Sequence, residues 1–291
     1  MEPPAPTSTP PETAPADGAG APRPDRDGAV PLAWSDGRVL LAAEATVPLL
    51  DDGFLRGDTV FEAMLVRRGR THALDDHLAR MVRSAAVLDL PLPDLRPVVA
   101  ALLTAWGEHD GAVRLYVTRD GAVRGLVGAM TWPPSIALAV VTMPWRTALS
   151  GVKSVSYAAN QWAQRQAVSL GADDALIVDR DLVHELPTGA VCLVRDGKLS
   201  CPDPQRLPIL DSVTVRHLAR VVDLAFTVPT LDDVRAADEI FVLSATRPVL
   251  PVHAVLLGPD DRLALPAPGP VTAQVAAAFA EHIAATLDPR V

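Results

Sequence analysis

The sequence predicts an α+β fold of two domains. Strand-like segments and segments with helical periodicity are mixed along the chain, without the regular alternation that builds a doubly wound parallel sheet. The chain contains neither a glycine-rich dinucleotide fingerprint nor a phosphate-binding P-loop. Its 291 residues, 49% of them hydrophobic, are enough for two cores.

The two domains are expected to follow a tail. Residues 1–30 hold eight prolines among Thr, Ala, Asp and Gly and offer almost nothing to bury, which predicts a disordered Pro/Ala-rich tail. Residues 31–144 are predicted to form an N-terminal α+β domain, residues 145–151 a linker, and residues 152–291 a C-terminal α+β domain.

Turn residues and hydrophobic periodicity define the elements of the N-terminal domain. Ser35-Asp36-Gly37 and Arg68-Gly69 are turn sequences, each between two short strand-like runs. Four apolar residues repeat at helical spacing, namely Leu78, Met81, Ala85 and Leu88. The predicted elements are strands at 32–34, 38–43, 60–67, 70–73, 113–118 and 136–143, and helices at 77–88 and 95–106.

The C-terminal domain shows the same mixture. Arg195-Asp196-Gly197 is a hairpin turn between two runs of strand-forming residues. The predicted strands lie at 175–179, 191–194, 198–201 and 239–244, with a short strand ending near Glu185. The predicted helices lie at 158–170, 212–225 and 271–287.

Composition and charge favour a small-molecule substrate. The net charge of -9 argues against binding to nucleic acid, which needs a basic face. No apolar run approaches the roughly 18 residues of a membrane span, and the N-terminus lacks the pattern of a secretory signal. Cys192 and Cys201 are not spaced as a metal site and are expected to stay reduced. We therefore expect a cytoplasmic protein with no nucleic-acid or membrane partner.

Lysine is rare in this chain. Lys153 and Lys198 are its two lysines, and arginine supplies the other cations. Arginine can replace lysine in surface charge but cannot form an imine, so a retained lysine is a candidate nucleophile. Lys198 adjoins the 195–197 turn and is expected to be solvated, whereas Lys153 lies in no such turn. A plain surface lysine is the alternative interpretation of Lys153.

A series of short motifs resembles the class IV aminotransferase family. The run from Asp52 to Glu62 is similar to the family's D-x-G-x-x-x-G-D-x-V-F-E signature. Further similar motifs follow in the family's order, namely His77-Leu78-Ala79-Arg80, Lys153 to Tyr157, Gly171 to Ala175, Glu185, Ser212-Val213-Thr214 and Ala237 to Phe241. Together they extend over residues 30–255, nearly all of the chain beyond the tail.

The resemblance implies a fold-type IV enzyme with pyridoxal 5'-phosphate between its two domains. The C-terminal domain would be the pseudo-barrel that binds the cofactor, and the protein would be a homodimer in which both subunits contribute to each active-site entrance. Lys153 matches the family lysine that forms an imine with the cofactor and then moves the substrate proton. Glu185 matches the glutamate beside the cofactor's protonated ring nitrogen.

Other residues are assigned to the cofactor by the same resemblance. Arg80 matches the phosphate-binding arginine, and Ser212, Val213 and Thr214 match a helix start aimed at the phosphate, where the family usually has G-I-T. Tyr157 serves either the cofactor or the core. Ala245 belongs to the Ser244 to Val249 loop, which is similar to the lyase branch of the family and is also assigned to the cofactor.

Substrate contacts are predicted less directly. Arg119 and Arg124 lie in a segment that supplies carboxylate contacts in relatives, and each is either a substrate ligand or a simple loop charge. The family's S-N-x-F after the glutamate is replaced by Pro187-Thr188-Gly189-Ala190-Val191, which leaves the substrate contacts there open.

Three functions follow from these motifs. The leading hypothesis is a 4-amino-4-deoxychorismate lyase-like enzyme that releases pyruvate to give 4-aminobenzoate, because of the Ser244 to Val249 loop. The second is a branched-chain or D-amino-acid aminotransferase, and the third is a non-catalytic relative that binds the cofactor. In each enzymatic case the substrate is a small amine or amino acid.

Overall fold

The computed structural model describes residues 30–290. The predicted disordered tail therefore lies, apart from Val30, outside the described residues. Within 30–290 the fold is built on two sheets with helices packed against them, which confirms the α+β prediction. No helix in this part of the chain is both long enough and apolar enough to cross a membrane.

The first sheet is antiparallel and has six strands in the order β2-β1-β6-β5-β3-β4. Its strands are β1 (Leu32–Ser35), β2 (Arg38–Leu41), β3 (Thr59–Arg67), β4 (Arg70–Thr71), β5 (Gly111–Thr118) and β6 (Val123–Gly128). A short 3-10 helix at Ala42–Glu44 follows β2.

Three helices belong to this half of the molecule: α1 (Asp52–Arg56), α2 (Leu74–Val87) and α3 (Arg96–Trp106). The apolar stripes of α2 and α3 pack on one face of the sheet, where Met64, Met81 and Leu102 are fully buried. This core fixes α2 against β3, and residues from both of these elements reach the candidate site described below.

The second sheet is mixed, with the order β12-β11-β10-β13-β14-β7-β8-β9 and β15 paired to β14. Its strands are β7 (Ile136–Thr142), β8 (Asp174–Asp179), β9 (Leu182–Val183), β10 (Ala190–Arg195), β11 (Lys198–Pro202), β12 (Leu224–Thr227), β13 (Glu239–Ser244), β14 (Arg247–Leu256) and β15 (Arg262–Ala264). Parallel pairs join β7 to β8, β7 to β14 and β11 to β12.

Four helices cover the second sheet: α4 (Ala158–Ser169), α5 (Val213–Leu218), α6 (Leu231–Arg235) and α7 (Pro270–Ala285). Helix α4 packs on β7 and β8 through Ala163 and Ala167. Helix α7 buries Val275, Phe279 and Ile283 in a cluster that also contains Leu65 of β3, so the two sheets share a core there.

Three sequence-based predictions need correction. The helix predicted at 212–225 ends at Leu218, because the chain turns there and enters β12, which pairs in parallel with β11. The segment 119–125 is not one loop, because Val123 already pairs with Val117 in the β5–β6 hairpin. Strand β7 belongs to the second sheet, so the chain changes sheets at 129–135, before the predicted linker at 145–151.

Candidate active site

A cleft of about 1190 Å³ brings together most of the residues singled out in the sequence. Strands β3 and β5, the start of α4 and the segments that precede α4 and α5 contribute to its wall. Seven of the ten predicted site residues line it, namely Arg80, Lys153, Tyr157, Glu185, Ser212, Thr214 and Ala245. Val213, Arg119 and Arg124 do not.

Backbone hydrogen bonds fix the position of Lys153. The N–H of Phe61 donates to the Lys153 carbonyl at 3.0 Å, and the N–H of Val155 donates to the Thr59 carbonyl at 3.0 Å. The segment thus forms an isolated antiparallel β-bridge with β3, between Ser154 and Val60. The Lys153 N–H also donates to Ser84 Oγ at 3.1 Å, which ties the segment to α2.

The Lys153 amine points into a largely apolar part of the cleft. Its Nζ lies 4.3 Å from the centre of the Phe61 ring. Burial and then the positive charge of Arg80 lower the pKa of Lys153 to about 8, although Glu62 and Glu185 act in the opposite direction. A substantial fraction of the amine is therefore uncharged at mildly alkaline pH, and the uncharged form is the nucleophile.

Glu185 is held by two donors on the same cleft. Trp145 Nε1 donates to Glu185 Oε1 at 3.1 Å, and the Leu210 N–H donates to Oε2 at 3.2 Å. Burial raises the pKa of Glu185 to about 7, and these two donors, with Lys153 and Arg80, offset only part of that effect. A protonated ring nitrogen placed beside this carboxylate would restore its ionised form, so the site fits a pyridinium group.

A buried ion pair orients Arg80. Its Nε donates to Glu62 Oε1 at 2.7 Å, and one terminal nitrogen donates to Glu62 Oε2 at 2.8 Å. His77 Nδ1 lies 2.8 Å from Oε2 of the same carboxylate. The other terminal nitrogen of Arg80 donates to the Asp211 carbonyl at 3.2 Å, next to the start of α5. The guanidinium is therefore fixed at the end of the cleft where α5 begins.

The start of α5 differs in detail from the expectation. Ser212 is the N-cap of α5, with φ -74°, and its Oγ accepts from the Val215 N–H at 3.3 Å. This backbone conformation is open to any residue, so a serine in place of the family glycine does not restrict the turn. Thr214 lines the cleft, whereas Val213 is buried behind it.

Tyr157 packs against the residue that supports Lys153. Its ring makes an edge-to-face contact with Phe61, with ring centres 5.4 Å apart. Burial, followed by the charge of Glu185, raises the pKa of Tyr157, so the phenol keeps its proton and remains a donor. Tyr157 thus packs on Phe61 and also lines the cleft, so a role toward the cofactor stays a prediction.

The two predicted substrate arginines are engaged elsewhere. Arg119 pairs with Asp58 at 2.8 Å and donates to the backbone carbonyls of Leu88 and Asp89. Arg124 lies in β6, not in a loop, and its guanidinium is 3.3 Å from Asp36. Neither side chain reaches the cleft of its own chain within the described residues.

Three other arginines line the cleft and were not predicted, namely Arg114, Arg165 and Arg247. Arg247 pairs with Asp174 at 3.1 Å, donates to Thr188 Oγ1 at 2.8 Å and lies over the Trp132 ring, so its charge is compensated within the protein. Arg114 of β5 contacts Met130 Sδ at 3.4 Å, and no carboxylate pairs with it in the described part of the chain. Arg114 is a charged residue within the otherwise apolar run 113–118, and this feature of the sequence could have marked it as a candidate site residue.

The family model of class IV amino-transferases matches residues 59–255, about two thirds of the sequence. The chain belongs to this family. Class IV aminotransferases are enzymes that use pyridoxal phosphate, in agreement with the cofactor expected from the motifs. The match begins at β3 and ends in β14, so it includes the whole cleft.

Individual relatives support the same assignment. The chain is 33% identical over 224 residues to the bifunctional aminodeoxychorismate lyase / D-amino acid transaminase of Mycobacterium tuberculosis, covering 64% of this chain and 76% of that protein. It is 27% identical over 274 residues to the D-alanine aminotransferase of Bacillus licheniformis, covering 85% and 95%. The PLP-bound form of a hypothetical aminotransferase from Mycobacterium tuberculosis superposes with a TM-score of 0.76, at 26% identity, covering 87% and 99%.

Proposed function

We propose that this protein is a pyridoxal-phosphate-dependent lyase that acts on 4-amino-4-deoxychorismate and releases pyruvate to give 4-aminobenzoate. The observation that carries the proposal is the arrangement of the cleft. A lysine with a lowered pKa, the half-buried carboxylate of Glu185 and a fixed arginine lie along it, and Arg114 also lines the cleft, without a carboxylate partner among the described residues.

Each cofactor contact has a residue suited to it. Lys153 would hold the cofactor covalently, Glu185 would accept from its ring nitrogen, and Arg80 with Ser212 and Thr214 would bind its phosphate. Ala245 would lie beside the cofactor, and the Tyr157 phenol would donate to it. The cofactor, when bound, withdraws the electron pair left on a carbon that loses its proton.

Lys153 would also perform the proton transfer. The uncharged Nζ would take the proton from the ring carbon that bears the substrate amine. Loss of the neighbouring enolpyruvyl group as pyruvate then allows the ring to become aromatic. The Phe61 ring lies beside the Lys153 amine, and Tyr157 packs against the Phe61 ring.

One feature of the cleft favours the lyase over a plain transaminase. The proposed substrate carries a ring and two carboxylates, and the cleft provides both volume and the guanidinium of Arg114 to receive them. The Mycobacterium tuberculosis relative at 33% identity is named both as an aminodeoxychorismate lyase and as a D-amino acid transaminase, so its name is compatible with either candidate.

A second candidate is transamination of a D-amino acid. It is supported by the D-alanine aminotransferase of Bacillus licheniformis, of which this chain covers 95%. Lys153 would move the proton in the same way, and Arg114 would bind the carboxylate of the amino acid.

We propose that the protein acts as a homodimer in the cytoplasm. A stretch of nine residues before β3 exposes five large apolar side chains, namely Val47, Leu49, Leu50, Phe54 and Leu55. A cluster of this kind is typical of a surface that another chain covers. If Arg119 or Arg124 binds substrate, it would do so in the cleft of the partner subunit, because neither side chain lines the cleft of its own chain.

The reaction is tested with purified holoenzyme and 4-amino-4-deoxychorismate, without any keto acid. We expect many turnovers, with equal amounts of pyruvate and 4-aminobenzoate. D-alanine and L-leucine, each with and without 2-oxoglutarate, are assayed in parallel, since a transaminase stops after one equivalent when no acceptor is present. If a preparation that transaminates D-alanine releases no pyruvate from 4-amino-4-deoxychorismate, the lyase is rejected and the second candidate remains.

A further inference from the structure

Three histidines meet on the side of the molecule where α5 and α7 pack together. His72 follows β4, His217 is on α5 and His282 is on α7. One ring nitrogen from each lies within 4.8 Å of those of the other two. His72 and His217 are buried and His282 is half-buried, and none of the three lines the cleft described above.

The spacing of these nitrogens is close to that of a metal site. Four ligands at 2.0–2.1 Å around a tetrahedral Zn²⁺ place neighbouring nitrogens about 3.4 Å apart. His217 Nδ1 and His282 Nε2 are 3.2 Å apart. The His72 ring centre lies 4.9 Å from that of His217 and 5.9 Å from that of His282, and the His72 side chain would have to rotate to place its nitrogen in the same coordination sphere.

A carboxylate orients the central histidine. Asp76 Oδ2 lies 2.7 Å from His217 Nε2, which assigns the ring proton to that nitrogen. The Nδ1 lone pair of His217 then faces His282. A carboxylate that accepts from the outer nitrogen of a ligating histidine is the usual second layer of a zinc site.

One positively charged side chain, that of Arg220, lies near the three histidines and would repel a bound cation. Arg220 has one terminal nitrogen 3.3 Å from His217 Nε2 and the other 3.4 Å from Asp76 Oδ2. Its side chain is 55% exposed, so it can move toward solvent when an ion is bound. The Thr286 hydroxyl lies 3.2 Å from His72 Nε2.

We propose that His72, His217 and His282 bind a Zn²⁺ ion, with water as the fourth ligand. An all-imidazole set suits zinc and disfavours magnesium and calcium, which prefer oxygen ligands. The ion would join β4, α5 and α7, and α5 begins at Ser212 on the cleft wall. It would therefore stabilise the end of the molecule that supports the cleft, without taking part in the reaction.

The test uses tag-free holoenzyme that has been treated with a chelator and desalted. Zn²⁺ is titrated by calorimetry, and thermal unfolding is followed with and without the ion. We expect one saturable equivalent and a higher unfolding temperature with Zn²⁺. His282→Gln should bind at least about tenfold more weakly, while His109→Gln, at an exposed histidine outside the cluster, should bind like the wild type.

The proposal has clear points of failure. It is wrong if the wild type shows no saturable binding, or if His282→Gln binds Zn²⁺ as tightly as the wild type. Loss of binding in Cys201→Ser alone would place the ion at the buried Cys192–Cys201 pair and would also reject the site. If His282→Gln does not fold, Asp76→Asn is used in its place. This variant keeps all three imidazoles and should weaken Zn²⁺ binding about 10- to 100-fold.

Discussion

Glu62 is fully buried between Arg80 and His77, and its two oxygens take part in three side-chain hydrogen bonds. Burial alone would raise the pKa of this carboxyl. The charge and hydrogen bonds of Arg80, together with His77, outweigh burial and lower the pKa from its usual 4.5 to about 2. Glu62 therefore stays ionised at neutral pH, and it positions the arginine that we propose binds the cofactor phosphate.

Glu62→Gln should destabilise the protein by about 3–5 kcal/mol, because it leaves the Arg80 guanidinium buried without its counter-charge. The wild-type pKa is lowered in the folded state, so its contribution is present above pH 4.5 and is lost as the pH falls toward 2. Denaturant unfolding at several pH values measures the difference between variant and wild type. The difference should shrink in acid, and Glu44→Gln, at an exposed glutamate, is the control. A constant difference from pH 7 to pH 3 would contradict this account.

Lys153→Arg keeps the positive charge but removes the only nucleophilic amine on the cleft among the described residues. Turnover should fall by at least about 10³-fold, because the covalent anchor and the proton-transfer group are lost together. Lys198→Arg, at the exposed lysine of the β10–β11 turn, should leave kcat unchanged. Steady-state assays of both variants with the same substrate make the comparison. An active Lys153→Arg enzyme would overturn the assignment of this residue.

The order of short motifs predicted seven of the ten proposed site residues at the cleft, but it misplaced Val213, Arg119 and Arg124 and did not reveal the partners of the others. Lys153, Glu185 and Arg80 come together as the resemblance implied. Trp145, which donates to Glu185, was hidden in a predicted linker. Its contact joins residues 40 positions apart, and no local pattern encodes such a contact.

At the scale of elements, strand β14 was not predicted from the sequence, and its prolines are the physical reason. Strand β14 contains Pro248 and Pro251, and proline within a run argues against an interior strand because it lacks an N–H donor. In the structure β14 lies between β13 and β7, and register shifts interrupt both of these pairings. Bulges of this kind accommodate residues that cannot donate to the ladder.

The turn that ends α1 affects the segment of Lys153 directly. Gly57 has φ 71°, and a Cβ at this position would lie 2.8 Å from Ser156 Oγ. Gly57→Ala should cost about 1–2 kcal/mol of stability for the left-handed backbone. It should also displace the 153–157 segment and lower kcat by up to about 100-fold, since small misplacements of a catalytic group are costly.

Gly197→Ala is the matched control for this substitution. Gly197 has φ 72°, and a Cβ added there would have no atom within 4 Å. Gly197→Ala should therefore lose stability only through the left-handed backbone, without a steric contact. Thermal unfolding should shift similarly in both variants, while kcat should fall only in Gly57→Ala. Equal kcat values would show that the contact with Ser156 does not position the lysine.

At the scale of the whole molecule, the exposed apolar stretch at 47–55 predicts self-association. Leu50, whose side chain is 85% exposed, should lie at the centre of the homodimer contact. Leu50→Asp should shift the mass measured by light scattering from that of a dimer to that of a monomer and should lower activity. Val87→Asp, at an exposed valine at the end of α2, should remain dimeric. A wild-type mass of one chain would contradict the proposed homodimer.

The two-sheet architecture followed from the mixture of strand and helix patterns, whereas the point at which the chain changes sheets did not. The apolar run at 136–142 has the features of a buried strand, and such a run fits either sheet equally well. Its pairing with β8 and β14 is set by contacts with residues 36 and more positions away. Long-range pairing of this kind is decided by packing and not by the local sequence.

The covalent role of Lys153 is tested most directly by borohydride reduction of the holoenzyme, followed by proteolysis and mass spectrometry. Borohydride converts an imine between a lysine and the cofactor aldehyde into a stable secondary amine. With two lysines in the chain, the label has few positions to occupy. We predict a phosphopyridoxyl group on the peptide that contains Lys153 and none on the peptide that contains Lys198. A label on Lys198, or no labelled peptide from a preparation that carries the cofactor, would contradict the central claim.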